Sequence, residues 1–155
     1  MKVGIIVFSQ TGHTRTVAER LAAALGAKGH AVAIAQVEPA ESVKNASAPV
    51  KLKTAPDVAA YDALVFASPV QGFTLARTMQ AYMNALPSLS GKKVACFVTQ
   101  QLKRPWLGGN RAVRMLRSAC AEKGADVGKS AIVHWSSKER EAQIAQLVEE
   151  LREIR

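Results

Sequence analysis

Short apolar runs recur along this 155-residue chain, separated in all but one interval by stretches with helical spacing. The runs are residues 2–8, 31–37, 63–67, 94–98 and 127–134. Apolar runs without polar interruption are typical of strands buried on both faces of a parallel sheet. The alternation therefore predicts an α/β fold: a three-layer, doubly wound domain around a five-stranded parallel sheet with right-handed crossovers. The exceptional interval, residues 38–60, is predicted to be a long connection with at most one short helix.

The length fits one domain that covers residues 1–155. Cys96 and Cys120 form neither a C-x-x-C pair nor a ligand cluster, so we expect reduced, buried thiols. The first apolar run enters a polar turn without a cleavage segment, which argues against a signal peptide. No stretch approaches the roughly 20 apolar residues that span a bilayer. We expect a soluble, cytoplasmic protein that does not insert into a membrane.

The first candidate site is the loop after the first predicted strand, Ser9-Gln10-Thr11-Gly12-His13-Thr14. Free backbone N–H groups at a helix N-terminus, hydroxyl side chains and a closely approaching Gly12 suit a phosphate group. The same residues also fit an ordinary capped helix start. Because no lysine follows Gly12 in the manner of a triphosphatase loop, triphosphate hydrolysis is not predicted, and the G-x-G-x-x-G dinucleotide fingerprint is absent.

The S-x-T-G-x-T pattern of this loop resembles that of the flavodoxin family. A second segment, YDALVFASPVQG from Tyr61 to Gly72, is also similar to the family, as is Phe97-Val98-Thr99 after it. The resemblance runs in order along nearly the whole chain. It implies the strand order 2-1-3-4-5, which flavodoxin exemplifies, with flavin mononucleotide (FMN) bound where that order reverses. The fifth run leads directly into the last helix, as in short-chain flavodoxins.

The resemblance also implies which residues hold FMN. The phosphate would be bound by hydroxyl and backbone groups of Ser9, Thr11, Gly12 and Thr14, and mainly by backbone N–H groups of Gln10 and His13. The isoalloxazine ring would lie between Ser68, Pro69, Val70, Gln71, Gly72 and Phe73 on one side and Thr99, Gln100, Gln101, Trp106, Gly108 and Gly109 on the other. Trp106 could stack on the ring or on a substrate, or pack over its loop as a lid.

Charge departs from the family pattern, because flavodoxins are typically acidic and this chain has a formal net charge of +9. The span from Ala63 to Ala121 contains no Asp or Glu. Its basic residues are Arg77, Lys92, Lys93, Lys103, Arg104, Arg111, Arg114 and Arg117. Such a face attracts anions or is simply solvated. Positive charge near the ring favours an anionic reduced flavin, so we expect a less negative two-electron potential than in low-potential flavodoxins.

Other residues support weaker interpretations. His134 and Trp135 end the fifth run and are predicted to have a structural or surface role. The basic residues from Lys103 to Arg117 could receive the phosphates of NAD(P)H or be solvated. No paired carboxylates, Ser/His/Asp arrangement or metal-ligand cluster is evident, so neither catalytic side chains nor a metal site is predicted. Nucleic-acid binding is not expected, because no recognised binding motif is present.

Three functions remain open at this point. The first is an FMN-dependent oxidoreductase that passes electrons from NAD(P)H or a protein donor to a small acceptor such as a quinone. The second is an electron-transfer carrier that has no substrate pocket and docks an acidic redox partner. The third is a flavin-binding module without turnover. The basic loop with Trp106, residues 99–110, and the lack of an acidic surface favour the first function.

Overall fold

The computed structural model describes residues 1–41 and 48–154. The described elements, in chain order, are β1 (Lys2–Val7), α1 (His13–Ala27), β2 (Ala31–Gln36), β3 (Glu38–Pro39), β4 (Leu52–Thr54), β5 (Ala63–Gln71), β6 (Thr74–Leu75), α2 (Arg77–Ala85), β7 (Lys93–Gln100), α3 (Gly109–Glu122), β8 (Asp126–His134) and α4 (Arg140–Leu151). None of these helices is long and apolar enough to cross a membrane.

Five parallel strands form the central sheet in the order β2-β1-β5-β7-β8. When only these five principal strands are numbered along the chain, the order becomes 2-1-3-4-5, as predicted. The predicted strand order and the predicted α/β fold are therefore confirmed. The order reverses between β1 and β5, so the chain runs outward from there in both directions. Ligand sites of such sheets lie at this reversal, beyond the carboxyl ends of the strands.

Alternate residues of the strands face opposite helical layers, because side chains in a strand point alternately to the two faces. On one face, Phe66 and Cys96 pack with α2 and α3 through residues such as Tyr82 and Leu116. On the other face, the α1 and α4 side chains pack against the following buried strand residues: Ile5, Val7, Val65 and Phe97. Both faces of the sheet are thus covered, as the uninterrupted apolar runs predict.

The two cysteines lie in the layer between β7 and α3. Cys96 and Cys120 are both free and both fully buried. Hydrogen bonding to the Cys120 thiol, together with burial, raises the pKa of Cys96 well above its ordinary value. The expectation of reduced, buried thiols is therefore confirmed, and Cys96 is held in its protonated form at neutral pH.

Three boundaries differ from the sequence prediction. The third run does not end before Ser68-Pro69, because β5 continues to Gln71 and pairs with β7 as far as Pro69. Its end then folds back as a hairpin onto β6, so Leu75 belongs to a strand rather than to the next helix. In the long connection, β3 and β4 form an antiparallel pair. Residues 38–41 and 48–60 contain no helix, which the prediction of at most one short helix allows, and residues 42–47 lie outside the described part of the chain.

Candidate functional site

Three loops leave the carboxyl ends of neighbouring strands and enclose a cavity of about 150 Å³. They follow β1 and β5, between which the strand order reverses, and β7, the neighbour of β5 in the sheet. The cavity is lined by Gln10, Thr11, His13, Pro69, Val70, Gln71, Thr99, Gln100, Gln101 and Trp135. No Asp or Glu lines this cavity among the described residues. A larger cavity, of about 200 Å³, lies at the other end of the sheet, where β7 and β8 begin beside the end of α4.

The loop after β1 forms a cradle of backbone donors. Gly12, at the N-cap of α1, has φ 92°, a left-handed conformation that glycine adopts without strain. The Ser9 hydroxyl oxygen accepts hydrogen bonds from the N–H groups of Gly12 (3.1 Å) and Arg15 (3.2 Å). Within the described residues, the N–H groups of Thr11 and His13 donate to no other residue. Free N–H groups at a helix N-terminus are the donors that bind an anion.

A buried pair of hydroxyl groups joins the loop after β1 to the end of β7. The Thr14 and Thr99 hydroxyl oxygens are 2.8 Å apart, and both side chains are buried. Either hydroxyl can be the donor in this pair. Because two hydroxyl groups share one hydrogen bond, one hydroxyl hydrogen remains available to a further acceptor. The pair both fixes the position of the two loops and can supply a donor to an anion.

The hairpin of β5 and β6 forms the second wall of the site. The side-chain amide of Gln71 donates to the Gln10 side-chain oxygen, so the hairpin and the loop after β1 are in contact. At its tip, Gly72 has φ 57° and Phe73 has φ 62°. A positive φ is unusual for a bulky residue. The Phe73 side chain points away from the core and is 59% exposed.

The loop after β7 is held by one buried side chain. The Gln100 amide nitrogen donates to the carbonyl oxygens of Arg104 (2.9 Å) and Leu107 (3.0 Å), and Gln100 itself is buried. Its Oε1 atom is buried without a hydrogen-bond partner and lies against Gly109, where a Cβ would be only 2.4 Å from it. Gly108 also packs closely on the hairpin, since a Cβ there would lie 2.7 Å from the Phe73 Cα atom. The loop therefore has a defined shape that depends on both glycines.

The family model of the flavodoxin domain matches residues 4–106 of this sequence. The chain belongs to the flavodoxin family. Among solved structures, it is similar to the flavodoxin of Streptococcus pneumonia TIGR4, with a TM-score of 0.70, 19% sequence identity and coverage of 97% of each chain. Oxidised flavodoxin 2 from Bacillus cereus gives a TM-score of 0.68 at 20% identity, with coverage of 96% of this chain and 95% of that one.

A short-chain flavodoxin associated with a bacterial microcompartment gives a TM-score of 0.69 at 18% identity, covering 96% of this chain and 95% of that one. None of the curated proteins matches the sequence. Identities this low show a shared fold and leave the individual site residues to be judged from their own geometry.

The predicted site residues of this flavodoxin-family chain fall into two groups. The residues that line the cavity are Gln10, Thr11, His13, Pro69, Val70, Gln71, Thr99, Gln100 and Gln101. The predicted residues that do not line it are Ser9, Gly12, Thr14, Ser68, Gly72, Phe73, Trp106, Gly108 and Gly109. Trp106 is 70% exposed, so its side chain faces solvent rather than covering the loop.

Trp135 is the lining residue that the sequence reasoning did not include in the site. Its ring stacks on the His13 imidazole with 4.0 Å between centroids and 11° between planes. The Arg140 guanidinium lies 4.6 Å from the centroid of the Trp135 ring. β7 pairs with β8 up to His134, and the Trp135 N–H donates to the Gln100 carbonyl oxygen. The signal available in the sequence was the position of Trp135 at the carboxyl end of a strand, which is the edge where this site lies.

The described residues contain no cluster of three or more His, Cys, Asp or Glu side chains that could hold a metal ion. His134 Nδ1 is 2.9 Å from the Leu102 carbonyl oxygen and so helps to fasten the loop after β7. The site consequently offers hydrogen-bond donors, a stacked ring pair and amide side chains.

Proposed function

We propose that this chain is an FMN-dependent oxidoreductase formed by a single domain, which passes electrons from NAD(P)H or a protein donor to a small acceptor such as a quinone. The observation that carries the proposal is the donor cradle of the loop after β1, which lies at the reversal of strand order beside a cavity with no carboxylate among its described lining residues. Membership of the flavodoxin family supports flavin as the ligand. We place the protein in the cytoplasm.

The donor set fits the phosphate of FMN. Free N–H groups in the loop, the spare hydroxyl hydrogen of the Thr14–Thr99 pair and the positive end of the α1 dipole all favour a dianionic group. The two other loops supply amide and backbone groups for the polar edge of the ring. Bound FMN would supply reversible electron-transfer chemistry, which no side chain of this site can provide. The chain's own residues bind, orient and tune the cofactor.

The composition of the ring-side walls favours a small acceptor. Val70 and Gln71 line the cavity from the hairpin, and Gln100 and Gln101 line it from the loop after β7. Flat acceptors react with a flavin by stacking on its ring, and aromatic flanks compete for that surface. The only aromatic rings among the described lining residues, His13 and Trp135, are stacked on each other. An isoalloxazine ring held between these walls would keep part of its face available to a substrate.

An electron-transfer carrier is the second candidate. One observation favours it: basic and aromatic side chains are exposed beside the site, in the loop after β7 and on α3. A carrier needs such a docking surface and no substrate pocket. Both candidates require bound FMN, so they differ in what oxidises and reduces it.

Cofactor binding and turnover can be tested on one preparation. The protein is expected to be yellow or to quench the fluorescence of added FMN, and to bind riboflavin, which lacks the phosphate, more weakly. NADH or NADPH is then added without oxygen, followed by a quinone. Fast bleaching of the flavin and reoxidation by the quinone support the oxidoreductase. Slow bleaching that accelerates only with a separate reductase supports the carrier. A protein that takes up no FMN contradicts both.

The two-electron potential of the bound flavin is expected to be less negative than in an acidic, low-potential flavodoxin. No carboxylate lines the cavity among described residues, so an anionic reduced ring meets no like charge there. Spectroelectrochemical titration measures the potential, and Gln101→Glu provides a nearly isosteric comparison. The new carboxylate should make the potential more negative. A strongly negative second couple in the unmodified protein would refute the expectation.

A further inference from the structure

Exposed aromatic, aliphatic and basic side chains form one surface beside the flavin site. We call it the basic-aromatic rim, and its members are Phe73, Leu102, Lys103, Arg104, Trp106, Arg111 and Arg114. Trp106 is 70% exposed, Phe73 59% and Leu102 43%. Apart from Met1, these are the most exposed large apolar side chains among the described residues. Their position at one end of the molecule marks an interaction surface.

Contacts between three elements make the rim continuous. Gly108 approaches the hairpin so closely that a Cβ there would lie 2.7 Å from the Phe73 Cα atom. The Thr74 hydroxyl is 3.2 Å from the Met115 sulfur, which places the hairpin against α3. The Arg104 guanidinium lies 5.7 Å from the centroid of the Trp106 ring. The hairpin tip, the loop after β7 and the start of α3 therefore share one face.

The positive charge of the rim is not neutralised within the described part of the chain. The ion pairs found there use Arg15, Arg20, Lys28, Lys93 and Arg152, all of which lie elsewhere. Lys103, Arg104, Arg111 and Arg114 are exposed and take part in none of them. Four uncompensated cations around exposed aromatic rings attract a surface of opposite charge.

The loop that carries Trp106 has a fixed shape before any partner arrives. The buried Gln100 side chain holds the Arg104 and Leu107 carbonyl groups, and the Leu107 N–H donates to the Arg104 carbonyl oxygen at 3.1 Å. An exposed tryptophan on a pre-organised turn loses little conformational freedom on binding. Tryptophan and arginine are also the side chains that most often dominate the affinity of protein interfaces.

We propose that the basic-aromatic rim docks an acidic redox protein that supplies electrons to the flavin. This inference rests on the proposed function, because it names the donor for the same FMN. Three of the four rim cations are arginines, which are enriched in protein interfaces, whereas lysines are depleted there. The apolar face of α3, with Ala112 and Leu116, is buried in the core, so this helix has no apolar face to lay on a membrane.

Two encounters with a one-electron donor supply the two electrons that full reduction of the flavin requires. Each reduced one-electron donor binds the rim, passes one electron to the flavin and leaves oxidised. After two encounters a bound FMN would have gained two electrons from the donor and one proton from solvent. The rim itself undergoes no chemical change and acts by bringing the donor's redox centre close to the ring.

The test uses the FMN-loaded protein and a reduced plant-type [2Fe–2S] ferredoxin, an acidic one-electron donor of low potential. Stopped-flow absorbance gives the second-order rate constant of flavin reduction. We expect it to fall roughly tenfold between low and physiological salt, because opposite charges steer the encounter. The double variant R111E/R114E should lower the low-salt rate constant by about tenfold or more.

The matched control is K2E/K129E, which makes the same change of charge at exposed lysines near the other end of the sheet. It should alter the rate constant by less than about twofold, since distant charges are screened. FMN affinity, and photoreduction of the flavin by neutral deazariboflavin, should be the same in both double variants. Equal effects of the two double variants on the ferredoxin rate, or a rate that does not fall with salt, would overturn the proposal.

Docking can be measured separately from electron transfer. Calorimetric titration of the protein with oxidised ferredoxin needs no turnover, and R111E/R114E should weaken it more than the control. If FMN does not bind, the proposed function fails while this titration still tests the rim. Sedimentation with vesicles containing phosphatidylserine tests the other acidic surface. Vesicle binding that R111E/R114E abolishes, without ferredoxin binding, would show a membrane-docking surface and contradict the proposal.

Discussion

Replacing Gly12 with aspartate is expected to weaken FMN binding by roughly a hundredfold. Gly12 lies at the N-cap of α1, inside the loop proposed to hold the phosphate. A carboxylate there adds a negative charge within a few ångströms of a group that carries close to two. At an effective dielectric constant well above that of a dry interior, this repulsion still amounts to about 3 kcal/mol. Each 1.4 kcal/mol corresponds to about a factor of ten in affinity.

The control for this prediction is Gly12→Asn, which has nearly the same shape without the charge. No atom lies within 4 Å of the position that a Cβ would take at Gly12, so both side chains have room. Asparagine and aspartate tolerate a positive φ better than other residues, and any remaining strain is common to the two variants. The difference between them therefore isolates the charge. Fluorescence titration with FMN gives the two dissociation constants.

Riboflavin separates the phosphate from the ring in the same experiment. Because it has no phosphate, its affinity should differ little between Gly12→Asp and Gly12→Asn. Without FMN, Gly12→Asp should be no less stable than Gly12→Asn, because the two variants share the backbone strain and a carboxylate at a helix N-terminus interacts favourably with the helix dipole. Equal loss of FMN and riboflavin affinity in the aspartate variant would mean that the phosphate is not bound in this loop.

The fold could be predicted because its determinants are local. Five apolar runs and the helical spacing between them follow from burial on both sides of a sheet, and the observed order of the principal strands agrees. The end of β5 could not be predicted in the same way. Ser68-Pro69 looks like a strand terminus in the sequence, yet β5 continues because its pairing with β7 and the hairpin back to β6 supply hydrogen bonds from distant segments.

The site likewise has features that are local in sequence and features that depend on tertiary contacts. The loop around Gly12 is predictable, since a left-handed glycine before a helix is a local feature of the backbone. The stacking of His13 on Trp135 is not, because it joins residues from the two ends of the chain. The hydrogen bond between the Thr14 and Thr99 hydroxyl groups likewise depends on the tertiary fold. Sequence reasoning identified the loops that meet at this edge, and the side-chain partners across them required the structure.

Gly108→Ala is expected to lower the free energy of unfolding by about 3 kcal/mol, against about 1 kcal/mol for Gly72→Ala. Both glycines have a positive φ, 115° at Gly108 and 57° at Gly72, so alanine is strained at either position. At Gly72 a Cβ meets no atom within 4 Å, whereas at Gly108 it would lie 2.7 Å from the Phe73 Cα atom and from Val70 Cγ1. Backbone must move to relieve that overlap.

Urea denaturation of the FMN-free variants measures both changes, and the melting temperatures should differ by roughly 4–8 °C. Combining Gly108→Ala with Val70→Ala in one double variant identifies the cause of the loss. Removing Val70 Cγ1 clears one of the two overlaps at Gly108 and leaves the Phe73 backbone in place. In the double variant, Val70→Ala should therefore recover only part of the stability that Gly108→Ala loses. Full recovery would assign the cost to the side chain alone, and equal losses in the two glycine variants would mean that the loop after β7 does not rest on the hairpin.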